Sequence, residues 1–157
     1  MYMTYEIAKQ LFEYKNDTLY WKSDTNHTYS GKPVSPSTKR KYLQLKHKKK
    51  LYYIHRIVFL LHNGYMPKYV DHINRNKHDN RIENLRACTV MQNMANSSGW
   101  SNRSLPKGVS MNGNNYTARI MVNNKQIRLG TYKTIEEAKN AYISKSLELN
   151  GQYSSFA

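Results

Sequence analysis

Apolar positions along the chain fall into short sets of different spacing, and each set predicts an element. Thr4 precedes Ile7, Leu11 and Phe12, a cap followed by the apolar face of a short helix. Leu19-Tyr20-Trp21 reads as a strand, and residues 22–38, rich in Ser, Thr, Gly and Pro, read as loop. Tyr42-Leu43-Gln44-Leu45 and Leu51-Tyr52-Tyr53-Ile54 predict two strands around a Lys-rich turn. Ile54, Ile57, Val58 and Leu61 recur at helical spacing and Asn63-Gly64 is a stop, so a strand passes into a helix near His55. Tyr69-Val70-Asp71-His72-Ile73 predicts an apolar strand that carries an Asp-His pair. A polar turn over residues 74–80 follows, then a strand beginning with Ile82 and Leu85. Thr89-Val90-Met91-Gln92 is a capping box opening a helix that bears Asn93.

Residues 96–107 are polar and interrupted by Gly and Pro, the composition of a linker. The expected division is therefore residues 1–96, a linker over 97–106, and residues 107–157. In the last part Tyr116, Ala118, Ile120 and Val122 alternate with Thr117, Arg119, Met121 and Asn123. Asn123-Asn124 suits a two-residue hairpin turn, because Asn tolerates positive φ. Such a turn sets Val122 opposite Lys125, Met121 opposite Gln126, Ile120 opposite Ile127, and Arg119 opposite Arg128. One sheet face is then Ala118, Ile120, Ile127 and Leu129; the other is Thr117, Arg119, Met121, Gln126 and Arg128. Thr134-Ile135-Glu136-Glu137 is a second capping box. Its helix presents Ile135, Ala138, Ala141, Tyr142 and Leu149, and Asn150-Gly151 closes it. A three-stranded sheet covered by one helix is predicted.

Charge narrows the partners. Lys and Arg number 25 against 10 Asp and Glu, a net charge of +15 over 157 residues. Residues 1–96 hold 17 basic and 7 acidic side chains and residues 97–157 hold 8 and 3, so both parts are basic. A polyanion, DNA or RNA, is the partner such a balance implies. The longest aliphatic or aromatic run is Ile57 to Leu61, far short of the roughly 20 residues of a membrane span. The first six residues lack the apolar stretch of a signal peptide, and no basic amphipathic helix suggests a membrane surface. Cys88 is the single cysteine, which excludes an internal disulfide and a multi-cysteine zinc site and suits a reducing compartment. It reads as a small buried apolar residue. His27, His47, His62 and His78 have no partner at metal-ligand spacing and read as surface or loop.

Asp71, His72, Asn84 and Asn93 together suit phosphodiester hydrolysis. A hard cation such as magnesium takes one or two protein oxygen ligands and leaves other positions to water and phosphate. Asp71 offers a carboxylate and Asn93 an amide oxygen. A neutral imidazole at His72, with a pKa near ~6.5, can take a proton from water. On a strand its side chain points opposite to that of Asp71. An Asp-His dipeptide in a strand is by itself more often structural, so the weight rests on the longer pattern. His55-Arg56-Ile57-Val58, Val70-Asp71-His72-Ile73-Asn74 and Asn80-Arg81-Ile82-Glu83-Asn84-Leu85-Arg86 stand in order. The pattern closely resembles the HNH endonucleases with a ββα-metal core, in the branch common among phage and intron-encoded homing nucleases.

That resemblance implies Asp71 and Asn93 as metal ligands, His72 as general base, and Asn84 as the residue that pins the loop. Asn93 stands where many relatives have His. His55 is expected to support the active-site loop, as a buried hydrogen-bonded residue, and Arg56 to contact phosphate or pair with Glu83. The run from Lys39 to Lys50, with Lys46, Lys48, Lys49 and Lys50 at its end, is expected to meet DNA phosphates. Farther on, Lys107-Gly108-Val109, Ala118-Arg119-Ile120, Leu129-Gly130-Thr131-Tyr132 and Thr134-Ile135-Glu136-Glu137-Ala138 resemble the AP2 DNA-binding domain. That likeness implies DNA contacts from Ser110, Asn112, Arg119, Met121, Gln126 and Arg128, although several Arg and Trp contact positions of plant members differ here. Arg119 and Arg128 face each other as like charges, which costs stability unless a polyanion covers them.

The expected whole is an α+β chain: a ββα-metal HNH nuclease core followed by a small AP2-like sheet and helix. Its expected activity is metal-dependent hydrolysis of DNA by a nicking or homing-type enzyme using Mg2+ or Mn2+. Double-stranded DNA would be the partner, bound by a monomer or dimer, in the cytoplasm of a bacterial or phage-infected cell. The alternatives are a non-catalytic DNA-binding regulator built on the same scaffold, and an RNA-binding protein.

Overall fold

The computed structural model describes residues 3–22, 29–37, 40–97 and 104–156. His27 and Lys39 lie outside the described residues, as does most of the expected linker. The chain is a mixed α/β protein with four α-helices and small antiparallel sheets, and it divides into two compact units, Met1–Cys88 and Thr89–Ala157. The division falls ahead of the Asn93 helix. Among the described residues no helix is long and apolar enough to cross a membrane.

The first unit begins with α1 (Tyr5–Leu11), capped by the Thr4 hydroxyl, which accepts from the Ile7 amide. Phe12 is not on this helix: it opens β1 (Phe12–Lys15), which pairs with β2 (Thr18–Trp21). The turn between them holds Asn16 and Asp17 at φ 48° and 57°. A second hairpin joins β3 (Gln44–His47) and β4 (Lys50–Tyr53) through Lys48 and Lys49, at φ 45° and 65°. The chain then enters α2 (Ile54–Asn63), which ends on Gly64 in the left-handed region. Ile57, Val58, Phe59 and Leu60 are all buried, so α2 is the axis of this core, with Phe12, Leu19, Leu45, Val70 and Leu85 around it. Each such side chain contributes about 1.5–3 kcal/mol on full burial. A third hairpin, β5 (Tyr69–His72) with β6 (Leu85–Cys88), packs on α2. Ile82, expected on that strand, instead starts a short 3-10 turn, Ile82–Asn84.

In the second unit α3 (Val90–Asn96) starts at the expected capping box, with Thr89 and Gln92 bonded reciprocally. Lys107 reaches its other end. The ammonium donates to the carbonyls of Met94 (3.0 Å), Ala95 (2.9 Å) and Ser97 (2.6 Å) at the helix end. The sheet follows as β7 (Val109–Asn112), β8 (Asn115–Val122) and β9 (Lys125–Tyr132), in that order. Its hairpin register is the one the turn dictates, Arg119 opposite Arg128 and Met121 opposite Gln126, with Asn123 and Asn124 at φ 49° and 63°. A bulge at Ala118/Arg119 shifts the register beyond.

Three expectations about faces fail in this unit, the first being Ile127, assigned with Ala118 and Ile120 but 42% exposed. Thr117, assigned to the exposed face, is fully buried and meets the Thr131 hydroxyl at 3.3 Å. The helix α4 (Ile135–Asn150) buries Ala138, Tyr142 and Ser146, one per turn, while Ile135 and Leu149 are exposed. Ser146 belongs in the row because its hydroxyl bonds that of Ser154 at 2.9 Å. Gly108, at φ 79°, lets Tyr142 in: a Cβ there would lie 2.0 Å from the ring.

Candidate active site

The site is built on the third hairpin. Its register sets Asp71 opposite Arg86, and the Arg86 guanidinium holds Asp71 Oδ2 through Nε at 3.0 Å and a terminal nitrogen at 2.9 Å. Both side chains are nearly buried, so removing one would strand a charge, at a cost of about 3–5 kcal/mol. His72, the last residue of β5, projects from the other face of the strand and is 4% exposed. Its Nε2 donates to Asn80 Oδ1 at 3.0 Å, which puts the lone pair on Nδ1. Burial lowers its pKa below the usual 6.5, against the opposing pull of the Asn80 bond and of Asp71 and Asp79. The ring is neutral at physiological pH, the state a proton acceptor needs.

Loop residues 73–84 hold Asn80 in place through their own amides. Asn84 accepts from the Asn74 amide at 2.9 Å and donates to the Asp79 carbonyl at 2.7 Å, so one buried side chain ties both ends of the loop. Asn74 accepts from the Asn76 amide and donates to Asp79, and Asn76 accepts from the His78 amide. Arg81 grips both oxygens of Asp79, holding that carboxyl well below its usual range.

His55 stands in the first turn of α2, where the strand passes into the helix. Its ring lies 4.9 Å from that of His72, with Tyr42 and Tyr53 at 5.3 and 5.5 Å. Burial, then the neighbouring His72 and Arg56, lower its pKa to about 3. It is buried but not fully hydrogen-bonded, since Nδ1 has no partner among the described residues. Arg56 bonds the carbonyls of Pro67 and Lys68 at 3.0 and 3.2 Å, and no ion pair with Glu83 is seen among the described residues. His47 is not a bare surface residue: it packs on Trp21, and burial lowers its pKa. Cys88 is half-buried on β6, where burial pushes the thiol up to about 11. Lys46, Lys48, Lys49 and Lys50 are exposed on the second hairpin. In the second unit Asn93 is exposed on α3. Asn112, Arg119, Met121, Gln126 and Arg128 are exposed on the sheet and Ser110 is half-buried; the Arg128 guanidinium donates to the Thr131 hydroxyl.

Residues 52–95 match the HNH endonuclease family. Over 104 residues it is 36% identical to an uncharacterised HNH endonuclease of Acanthamoeba polyphaga mimivirus, an alignment covering 64% of this chain and 54% of that protein. The chain thus spans about half the length of the relative it matches. No solved structure matches significantly. The HNH match takes in β5, β6 and the loop, and with them Asn80 and Arg86, which the sequence reasoning missed. Arg86 could have been found by pairing the strands, had the register across a twelve-residue connection been readable. Asn80 stood in the pattern that carries the resemblance, but nothing local showed that it would bond the His72 ring.

The donors in the matched segment bear on which cation fits. Among the described residues no three His, Cys, Asp or Glu side chains cluster as an all-protein cage. Asp71 is a single buried carboxylate whose Oδ2 is shared with Arg86. That donor set fits a hard cation taking few protein ligands and the rest from water and phosphate.

Proposed function

We propose that this chain is a metal-dependent DNA endonuclease that hydrolyses phosphodiester bonds, of the site-preferring nicking or homing type. The observation that carries the proposal is His72: a neutral imidazole, fixed by Asn80 through Nε2, beside a buried carboxylate. Nδ1 of His72 takes the proton of a water attacking phosphorus, and Asn80 keeps the ring from turning. As the water oxygen bonds phosphorus the P–O3′ bond breaks, the 3′ oxygen takes a proton from solvent to become a hydroxyl, and the other end keeps a 5′-phosphate. Asp71 and Asn93 would hold Mg2+ or Mn2+, which when bound neutralises charge on the phosphate and leaving oxygen. Arg86 keeps Asp71 oriented, and Asn84 keeps the loop closed around Asn80.

Residues 1–96 form the nuclease domain of this proposal and residues 107–157 an AP2-like DNA-binding domain, acting on double-stranded DNA in a bacterial or phage-infected cell. The Lys46–Lys50 hairpin supplies sequence-independent affinity, while Arg119, Gln126 and Arg128 on the rigid sheet meet base edges. One His72 per chain suits nicking; cutting both strands at once requires two chains.

The test is incubation of supercoiled plasmid with the protein and Mg2+ or Mn2+. Nicked circles that appear with metal and not with EDTA are expected, and a metal titration should shift for Asp71→Ala and for Asn93→Ala. An Asn93→Ala curve equal to wild type removes Asn93 from the ligand set. DNA binding without cleavage in either metal favours the rival reading, a regulator on an HNH scaffold.

A further inference from the structure

Arg75 follows closely on His72, and its side chain takes no part in the bonds that hold the loop together. Its amide donates to the His72 carbonyl at 2.9 Å, so the backbone at Arg75 is tied to that of the proposed proton acceptor. From Asn74 to Arg81 the other polar side chains are engaged. Asn74 and Arg81 hold Asp79, Asn76 accepts from the His78 amide, and Asn80 holds His72. The His78 ring donates to the Arg40 carbonyl at 3.1 Å, and Lys77 Nζ lies 5.3 Å from the centre of the Tyr42 ring. Arg75 is exposed, and among the described residues no hydrogen bond or ion pair engages its guanidinium. All the N–H donors of that group are left to solvent near the general base.

The position carries a conformational cost. Arg75 has φ 65°, in the left-handed region where a Cβ crowds the following carbonyl. Asn74 and Asn76 on either side are of the type that enters this region more easily, and glycine enters it freely. Among the described residues the other left-handed positions besides glycine come in pairs at hairpin tips: Asn16-Asp17, Lys48-Lys49 and Asn123-Asn124. Arg75 stands alone, in a loop that Asn84 fastens at both ends. Such strain persists only where the surrounding structure over-determines it, and it clusters at active sites. A long cation at a position that glycine would fill without strain is there for its side chain.

We propose that the Arg75 guanidinium binds one phosphodiester group of the DNA strand that is cut, next to the phosphate on which His72 acts. The planar fork of arginine donates two parallel N–H bonds, one to each non-bridging oxygen. Because the Arg75 amide is bonded to the His72 carbonyl, a strand held by Arg75 is registered against the general base. The inference rests on the DNA-endonuclease reading and adds a substrate contact to it.

The experiment measures binding of the full-length chain to a duplex DNA oligonucleotide in EDTA over a series of salt concentrations, with melting temperature read alongside. Each phosphate contact contributes about 0.9 to the log–log salt slope. Arg75→Gln removes the charge and keeps the strained backbone; Arg75→Gly removes both. Both are expected to lower the slope by about 0.9, while Arg75→Gly alone raises the melting temperature, by about 2–4 °C. A variant that gains stability and loses affinity owes the loss to the side chain and not to the fold. Arg75→Lys, which keeps the charge, should retain most of the slope. Placement is read with duplexes carrying a single uncharged methylphosphonate linkage at successive positions around the nick that wild type makes. The linkage next to the nick should weaken wild type and leave Arg75→Gly unaffected; a sensitivity lost only at a position remote from the nick overturns the placement. Wild-type slopes in both Arg75→Gln and Arg75→Gly overturn the contact, while the nuclease reading stands as long as wild type nicks plasmid. Wild type that binds DNA and nicks it in neither metal overturns the nuclease reading and the placement with it, and the slopes then still decide the contact.

Discussion

Truncating His72 leaves the Asp71–Arg86 pair in place, so a His72→Ala variant separates the proton acceptor from the charge beside it. Cleavage should fall by about 10² to 10⁴-fold, while binding, read by mobility shift in EDTA, stays at the wild-type level. Cleavage close to wild type would remove His72 from the mechanism. Asn80→Ala keeps the imidazole but frees it to turn, so a smaller loss confined to kcat is expected. His55 gives a pH prediction. It stays neutral in the fold down to a pKa of about 3, whereas the unfolded chain protonates it at the ordinary histidine value of 6.5. Between those values the unfolded state binds more protons, so stability present above pH 6.5 is lost as pH falls toward 3. His72, also lowered, acts in the same direction. Melting temperature at about pH 7.5 and about pH 5 should drop less for His55→Phe than for wild type; equal drops would mean that other groups govern acid sensitivity. The sequence singled out Asp71, His72 and Asn84, yet what orients His72 and Asp71 comes from Asn80 and Arg86, whose roles depend on a loop conformation and a strand register absent from local pattern.

Three hairpins close on two consecutive residues of positive φ, and they differ in how well their residues tolerate it. Asn16-Asp17 and Asn123-Asn124 are of the kind that accept the left-handed region, whereas Lys48-Lys49 are not. Replacing Lys48 and Lys49 by Asn and Gly should raise stability by about 1 kcal/mol or more and flatten the salt dependence of DNA binding. A flatter dependence without added stability would mean that the turn carries no conformational cost. The second and last hairpins were legible because a polar two-residue turn stood between alternating strands. The first was not: Phe12 follows Ala8 and Leu11 at helical spacing and is counted with the helix, although it begins β1. Both capping boxes were readable, being wholly local. The buried row of α4 was not, since Ser146 earns its place only through Ser154, outside the helix.

Across the whole molecule, positive charge is spread over both units while the kinds of cation differ, lysines on the second hairpin and arginines on the outer sheet. Arg128→Ala is expected to cost about 1–3 kcal/mol at one base position, relaxing discrimination between a selected site and scrambled DNA. Equal weakening on both DNAs would make the sheet a basic clamp. The two compact units meet at Cys88 and Thr89, and a short helix after a strand gives no sign in the sequence of which core it will join. Lys107 shows one effect of that choice. Its ammonium is spent on three carbonyls at the end of α3, so its nitrogen has no lone pair to offer an acylating reagent until those bonds open. In a chain so rich in reactive amines, Lys107 would be among the last to be acylated, and its modification, read by peptide mass spectrometry, would report the loosening of α3 while the exposed lysines of the second hairpin were long since labelled.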